Sequence, residues 1–235
     1  MATQGFIIID KPTDWTSHDV VAKMRGILRE RKIGHLGTLD PLATGVLVLA
    51  VGRDATKQVQ NFMKLDKEYE VKMELGKVSD TFDMEGEVKS TGADIPALVE
   101  SGELTESKVK LAMARFWGKT MQMPPAFSAK KVGGKKAYEL ARAGKPVDLK
   151  PVEVTMQGTD IVFDPPFVTF RVTVTSGCYV RSLVNDIGAV LQCGGGAGCA
   201  AGADGGKPCG AVLVALRRTR VGDFKIEDAK KMEDF

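Results

Sequence analysis

Apolar and polar positions change their spacing from stretch to stretch along the chain, and each spacing predicts an element. Residues 5–10 are a short apolar run closed by Lys11-Pro12-Thr13-Asp14, which predicts a buried strand and a turn. Within 17–31, Val20, Val21, Met24, Ile27 and Leu28 recur at helical spacing, with Ser17 placed to cap the helix. Residues 46–51 predict a second buried strand and 55–65 a second helix. In 68–76, Tyr69, Val71, Met73 and Leu75 alternate with Glu70, Lys72 and Glu74, the period of a strand with one wet face. Residues 105–117 and 135–143 are helix candidates. Phe170, Val172 and Val174 then alternate with Thr169, Arg171 and Thr173 in a strand over 167–175. Leu183, Val184, Ile187 and Leu191 line one face of a helix over 181–191.

Strands adjoin strands here, and helices fall among them without a regular βαβ alternation. That order predicts an α+β fold with a mainly antiparallel sheet. No G-x-G-x-x-G, P-loop or internal repeat interrupts it. Two stretches have no period at all. Residues 34–45, GHLGTLDPLATG, hold three glycines and read as a loop. Residues 192–210 are dominated by Gly, Ala and Cys and predict a flexible surface insertion.

Composition narrows the class. With 235 residues, 43% apolar and 27% charged, the chain is long enough for a proper core and too apolar for wholesale disorder. Its longest apolar runs, 46–51 and 211–216, are too short to cross a bilayer, and no secretory or transit segment precedes residue 5, so a cytoplasmic protein is expected. The net charge of +3 is small, but its distribution is uneven. Between residues 124 and 152, Lys130, Lys131, Lys135, Lys136, Arg142, Lys145 and Lys150 face only Glu139 and Asp148. Arg217, Arg218 and Arg220 form a second cluster. Such patches are read either as solvated surface or as a polyanion-binding face. Cys178, Cys193, Cys199 and Cys209 match no zinc spacing and are expected as free thiols.

The 34–45 loop carries the candidate chemistry. Asp40 precedes Pro41, which biases its backbone toward an extended conformation, and Leu39 and Leu42 give it apolar neighbours. A carboxylate so held is either a nucleophile or base, or an ordinary turn former. His35, five residues earlier, is an acid–base group, a stacking surface or a loop histidine bonded to backbone. With only His18 besides, no metal site is formed, and no G-x-S-x-G elbow supports a hydrolase.

Six blocks occur in order: GFIIIDKP, GHLGTLDPLATGVLVLAVGRDATK, KEYEVKMELG with SDTFDMEG, MQMPPAFSAKKVGGKKAYELARAG, GCYVRSLVNDIG and LRRTRVGDF. Together they closely resemble the TruB family of tRNA pseudouridine(55) synthases, from about residue 5 to 225. The resemblance implies a pseudouridine synthase fold, a bent mainly antiparallel sheet flanked by helices with an RNA-binding cleft. It implies that Asp40 is the catalytic aspartate, Tyr69 the tyrosine that stacks on the target base, and Arg181 the arginine that pairs with the carboxylate. Lys11 and Pro12 match the family's KP motif, and His35 the histidine that fills space left by flipped-out T-loop nucleotides. Gly37, Thr38, Leu39, Pro41 and Tyr179 are its structural neighbours. Residues 124–152 match a thumb-like insertion that closes on the T arm, which makes Lys130, Lys131, Lys135, Lys136 and Arg142 RNA-binding candidates. Lys11, His35, Arg217 and Arg218 are assigned to RNA as well.

The implied reaction isomerises uridine to pseudouridine at position 55 of tRNA, with base flipping. It transfers no electrons and adds no group, so no cofactor and no metal is expected. The expected partner is the tRNA T arm, bound by a monomer, with no membrane. Three roles stay open for Asp40: attack on the sugar, attack on the base, and removal of a ribose proton. Two rival functions stay open as well, an RNA chaperone that folds tRNA with little catalysis and a synthase acting on T-arm-like mRNA stem-loops. The chain departs from the family pattern twice. It stops at Phe235, so no C-terminal PUA domain is expected, and 192–210 stands where relatives run almost directly into the segment before LRRT.

Overall fold

A computed structural model describes residues 4–193 and 207–235. The chain runs β1 (Gly5–Lys11), α1 (Ser17–Leu28), β2 (Ile33–His35), β3 (Thr44–Val51), α2 (Arg53–Phe62), β4 (Lys67–Leu75), β5 (Lys77–Ser79) and β6 (Val88–Ser90). It continues through α3 (Ile95–Glu100), α4 (Glu106–Ala114), β7 (Gly118–Gln122), β8 (Lys131–Val132), β9 (Lys135–Lys136), α5 (Ala137–Arg142) and β10 (Val152–Asp164). Next come β11 (Phe167–Val174), α6 (Val180–Val190), β12 (Gln192–Cys193), β13 (Lys207–Pro208), β14 (Ala211–Val221) and β15 (Phe224–Lys225). Among the described residues no helix is long and apolar enough to cross a membrane.

The residues form two compact units. The first takes the chain up to Glu70, Val172–Ser176 and Ala215–Phe235, and the second takes Val71–Arg171 with the described part of Gly177–Val214.

In the first unit, β3 pairs antiparallel with β1 and β2, and parallel with β14 at Arg217↔Thr44 and Arg218↔Gly45. Residues 45–51 of β3 are all buried, which is why their sequence is a continuous apolar run rather than an alternating one. On one face Val46, Val48, Ala50 and Val221 pack with Leu36 and Ala55 under Phe6, Phe62 and Phe224, whose ring centroids lie 4.7–6.1 Å apart. Helix α1 buries Val20, Val21 and Met24, as its spacing predicts, but it is capped one residue earlier than expected. Thr16 Oγ1 accepts from the Asp19 amide at 3.1 Å, and the Asp19 carboxylate accepts from the Thr16 amide at 2.9 Å. The Thr16 hydroxyl donates to the Asp19 carboxylate at 2.6 Å, and this bond together with that from the Thr16 amide holds the Asp19 carboxyl below its ordinary range. Ser17 is thereby released from capping and is fully buried.

In the second unit β7 pairs antiparallel with β10, from Val152↔Gln122 to Met156↔Gly118. Residues 123–151 are therefore an excursion leaving one strand and returning beside its end. Within it, β8 and β9 form a hairpin across Gly133-Gly134 and α5 follows. The expected helix thus starts at Ala137, because Lys135 and Lys136 belong to the hairpin. Val168 and Phe170 turn inward along β11, and one face of α6 buries Leu183, Val184 and Ile187.

The expectation of free thiols holds at Cys178 and is corrected at Cys193 and Cys209. Cys193 and Cys209 form a disulfide, while Cys178 is a free, mostly buried thiol pushed up to about 12 by burial. Pairing of β12 with β13 brings the two half-cystines together, a contact that composition could not reveal. The two ends of the 192–210 segment are built into the unit. The Cys209 amide donates to Leu191, Gly210 donates to Gly188 at 2.9 Å, and Thr91 Oγ1 donates to the Cys209 carbonyl at 2.9 Å. Residues 194–206, with Cys199, lie outside the described residues.

Candidate active site

The residues expected at the site fall into two clusters, one in each unit. The first surrounds Asp40, which is half-buried on the turn between β2 and β3. Three side chains hold that turn by its backbone. Buried Ser17 bonds Leu39 twice, accepting from its amide at 2.8 Å and donating to its carbonyl at 3.1 Å. Lys11 is 0% exposed, and its ammonium donates to the carbonyls of Pro12, Trp15 and Pro41 at 2.8, 2.6 and 3.1 Å. Arg218, 1% exposed, donates to the carbonyls of Gly37, Thr38 and Val46 at 3.1, 3.3 and 2.7 Å. The Asp14 amide also reaches Pro41 O at 3.0 Å, and the Ala43 amide closes the turn on Asp40 O at 3.0 Å.

This geometry corrects two RNA-binding assignments. Lys11 and Arg218 are interior residues with no surface to offer a phosphate. Arg217 is partly exposed, but both its amino groups face the Asp10 carboxylate at 3.1 and 2.8 Å, so its charge is already matched. A run of arginines reads as surface in sequence; the strand period of β14 sends these side chains to different environments.

His35 stays near the turn as expected, its ring edge-on to His18 with centroids 5.6 Å apart. Burial lowers its pKa, the charges of His18 and Arg218 lower it further, and the Gly37 carbonyl opposes them. Tyr69 is 9% exposed on β4, and its neighbour Glu68 accepts from Thr219 Oγ1 at 2.8 Å.

The second cluster is built at the start of α6. Arg181 is buried, donating to Thr81 O and Phe127 O at 3.0 Å each and lying 3.4 Å from the Asp83 carboxylate. Asp83 is itself 1% exposed and accepts from Thr81 Oγ1 at 2.6 Å and the Glu85 amide at 3.1 Å. Both of those bonds fall on Oδ1, so Oδ2 is left to face the Arg181 guanidinium as an ion pair. Gln122 clamps Tyr179 from both sides, donating to its carbonyl at 3.0 Å and accepting from its amide at 2.8 Å. Ser182 Oγ donates to Met123 O at 2.9 Å. The MQMPPAF block is thus tied to the first turn of α6 by three side chains. Asp83, Gln122, Ser182 and Ser17 were missed as site residues. The first three lie inside the SDTFDMEG, MQMPPAF and GCYVRSLVNDIG blocks, which was the available signal; for Ser17 there was none.

In the excursion, Lys131, Lys135 and Arg142 are exposed, and Lys130 and Lys136 are half-buried. Lys130 donates to Lys150 O at 3.2 Å, while Lys136 and Arg142 lie over the Tyr138 ring at 5.4 and 5.6 Å. Among the described residues no group of His, Cys, Asp and Glu could hold a metal ion.

Solved structures give this architecture a class. A Cbf5–Nop10–Gar1 complex matches 98% of the chain at a TM-score of 0.67 and 30% identity, and the archaeal box H/ACA sRNP Nop10–Cbf5 complex matches 99% at 0.66 and 28%. The chain covers 53% of each of those chains, about half their length. The α+β fold is that of the pseudouridine synthases. A family model for the TruB family pseudouridylate synthase (N-terminal domain) matches residues 25–180, and the chain belongs to that family. The tRNA pseudouridine synthase B of Opitutus terrae is 41% identical over 230 residues, spanning 97% of this chain and 86% of the relative. That of Aquifex aeolicus is 38% identical over 234 residues, spanning 98% and 73%.

Proposed function

We propose that this chain isomerises uridine to pseudouridine in tRNA, at position 55 of the T loop, with Asp40 as the catalytic carboxylate. The observation that supports this most directly is the Asp40 turn. An acidic side chain is presented at partial exposure from a backbone held by buried Ser17, Lys11 and Arg218. A turn former of no consequence would not need two buried cations beneath it, whereas a reacting group gains from a fixed orientation.

The reaction breaks the N1–C1′ bond, turns the uracil, joins C5 to C1′ and releases the C5 proton to solvent. N1 takes up a proton in place of the one lost from C5, so every heavy atom of the base is retained and there is no net oxidation or reduction. In this reading Tyr69 stacks on the flipped base, a contact that needs no edge-specific hydrogen bond. Arg181 accompanies the carboxylate, held in its own orientation by Asp83 and the Phe127 and Thr81 carbonyls. His35 fills space left by displaced nucleotides. The exposed cations of 124–152 close on T-arm phosphates, and the enzyme works as a monomer in the cytoplasm.

The test is to incubate the purified protein with an unmodified tRNA transcript and map pseudouridine by carbodiimide labelling and primer extension. One new stop at position 55 is expected. No pseudouridine, or pseudouridine confined to another position, contradicts the reading.

A further inference from the structure

Arg218 heads the largest fully buried side chains of the protein, and its surroundings differ from those of its neighbours on β14. Arg217 faces Asp10 and Arg220 faces Glu68. Among the described residues, by contrast, no carboxylate pairs with Arg218; its guanidinium meets only carbonyl oxygens, at Val46, Thr38 and Gly37. Its charge is felt by both His35 and Lys67, whose protonation it opposes. An unpaired buried cation is a poor way to fill a core, since an apolar side chain of the same volume serves packing better. What a guanidinium adds is a rigid planar fork. Here the Nε end bonds Val46 at 2.7 Å, on a strand whose residues are all buried from Gly45 to Val51. The two amino groups then reach consecutive carbonyls, Gly37 and Thr38, three and two residues before Asp40. Gly45 makes the arrangement possible: it sits at φ +97°, and a Cβ there would collide with the Arg218 backbone.

We propose that Arg218 is a positioning residue, a fork that transmits the rigidity of β3 to the Asp40 turn and so sets where the carboxylate is presented. The inference rests on the function proposed above and assigns Arg218 to the chemical step, not to RNA affinity.

The test uses the full chain with Arg218→Lys and Arg218→Gln. Three quantities are measured: affinity for T-arm RNA, single-turnover release of tritium from C5 of uridine at saturating enzyme, and amide hydrogen exchange without RNA. In Arg218→Lys, affinity should stay within threefold while the saturated rate falls more than tenfold, because one ammonium nitrogen cannot reproduce three guanidinium nitrogens held apart in a plane, each on its own carbonyl. Amides within 36–43 should exchange faster while those of 46–50 keep their protection. A folded variant of either kind that keeps its saturated rate within tenfold overturns the proposal. So does a loss of affinity as large as the loss of rate. Failure of both variants to unfold cooperatively also overturns it, since Arg218 would then be a core residue of the sheet. If the wild-type chain releases no tritium, the proposed activity fails instead, and the exchange measurement still decides whether Arg218 holds the turn.

Discussion

Burial, the His18 charge and the Arg218 charge all push His35 toward its neutral form. The folded protein therefore binds fewer protons at this ring than the unfolded chain, whose imidazole titrates near 6.5. Above that pH neither state is protonated there and His35 adds no pH dependence. As the pH falls through 6.5 the unfolded chain takes up the proton first, and stability is lost until the folded ring itself protonates. Chemical denaturation of wild type and His35→Gln between pH 8 and 5 checks this: the two curves should run parallel above pH 7, and the wild type should lose stability more steeply below 6.5. At this scale Asp40, Tyr69 and Arg181 stood out as candidates because they lie inside specific motif blocks. Arg218 and Lys11 were misread because a charged residue type carries no mark of burial, and nothing in a sequence shows which carbonyls will receive its hydrogens.

At the level of elements, periodicity found those with a buried stripe and lost those without one. Strand β10 alternates only from Val152 to Met156, and Gly158 then opens a space filled by the Trp117 ring. Strand β7 is short, and its outward Lys119 and Met121 break the apolar pattern. Strand β14 hid behind its arginines. Helix α6 was legible, but the reason for its Gly188 was not. A Cβ at that position would run into the backbone of Gly210 and Ala211, so the glycine lets the segment after the disulfide pack directly on the helix. Gly188→Ala should force the two apart and cost about 3 kcal/mol by overpacking. In a chain of this size that lowers Tm by roughly 6–12 °C, since each kcal/mol is worth about 2–4 °C. A shift under about 2 °C would mean that the segment moves aside freely.

For the molecule as a whole, the account separates affinity from chemistry. The excursion 123–151 carries exposed Lys131, Lys135 and Arg142 and none of the residues assigned to the reaction. Replacing those three with Ala should weaken tRNA binding and reduce the slope of log K against log salt by about 2–3 if all three contact phosphates, at roughly 0.7–0.9 per contact. The single-turnover rate at saturating enzyme should change less than threefold. A large loss of saturated rate with unchanged affinity would reverse that division. The central claim is that Asp40 performs the isomerisation, and Asp40→Asn tests it most directly. The amide keeps the size of the side chain and removes its charge, while the contacts of Ser17, Lys11 and Arg218 to the turn's backbone remain. General base work alone is typically worth about 10²–10⁴ in rate, and a covalent role would add to that. With T-arm RNA tritiated at C5 of uridine, the account predicts that Asp40→Asn binds within about tenfold of wild type and releases no detectable tritium; release at near the wild-type rate would contradict it.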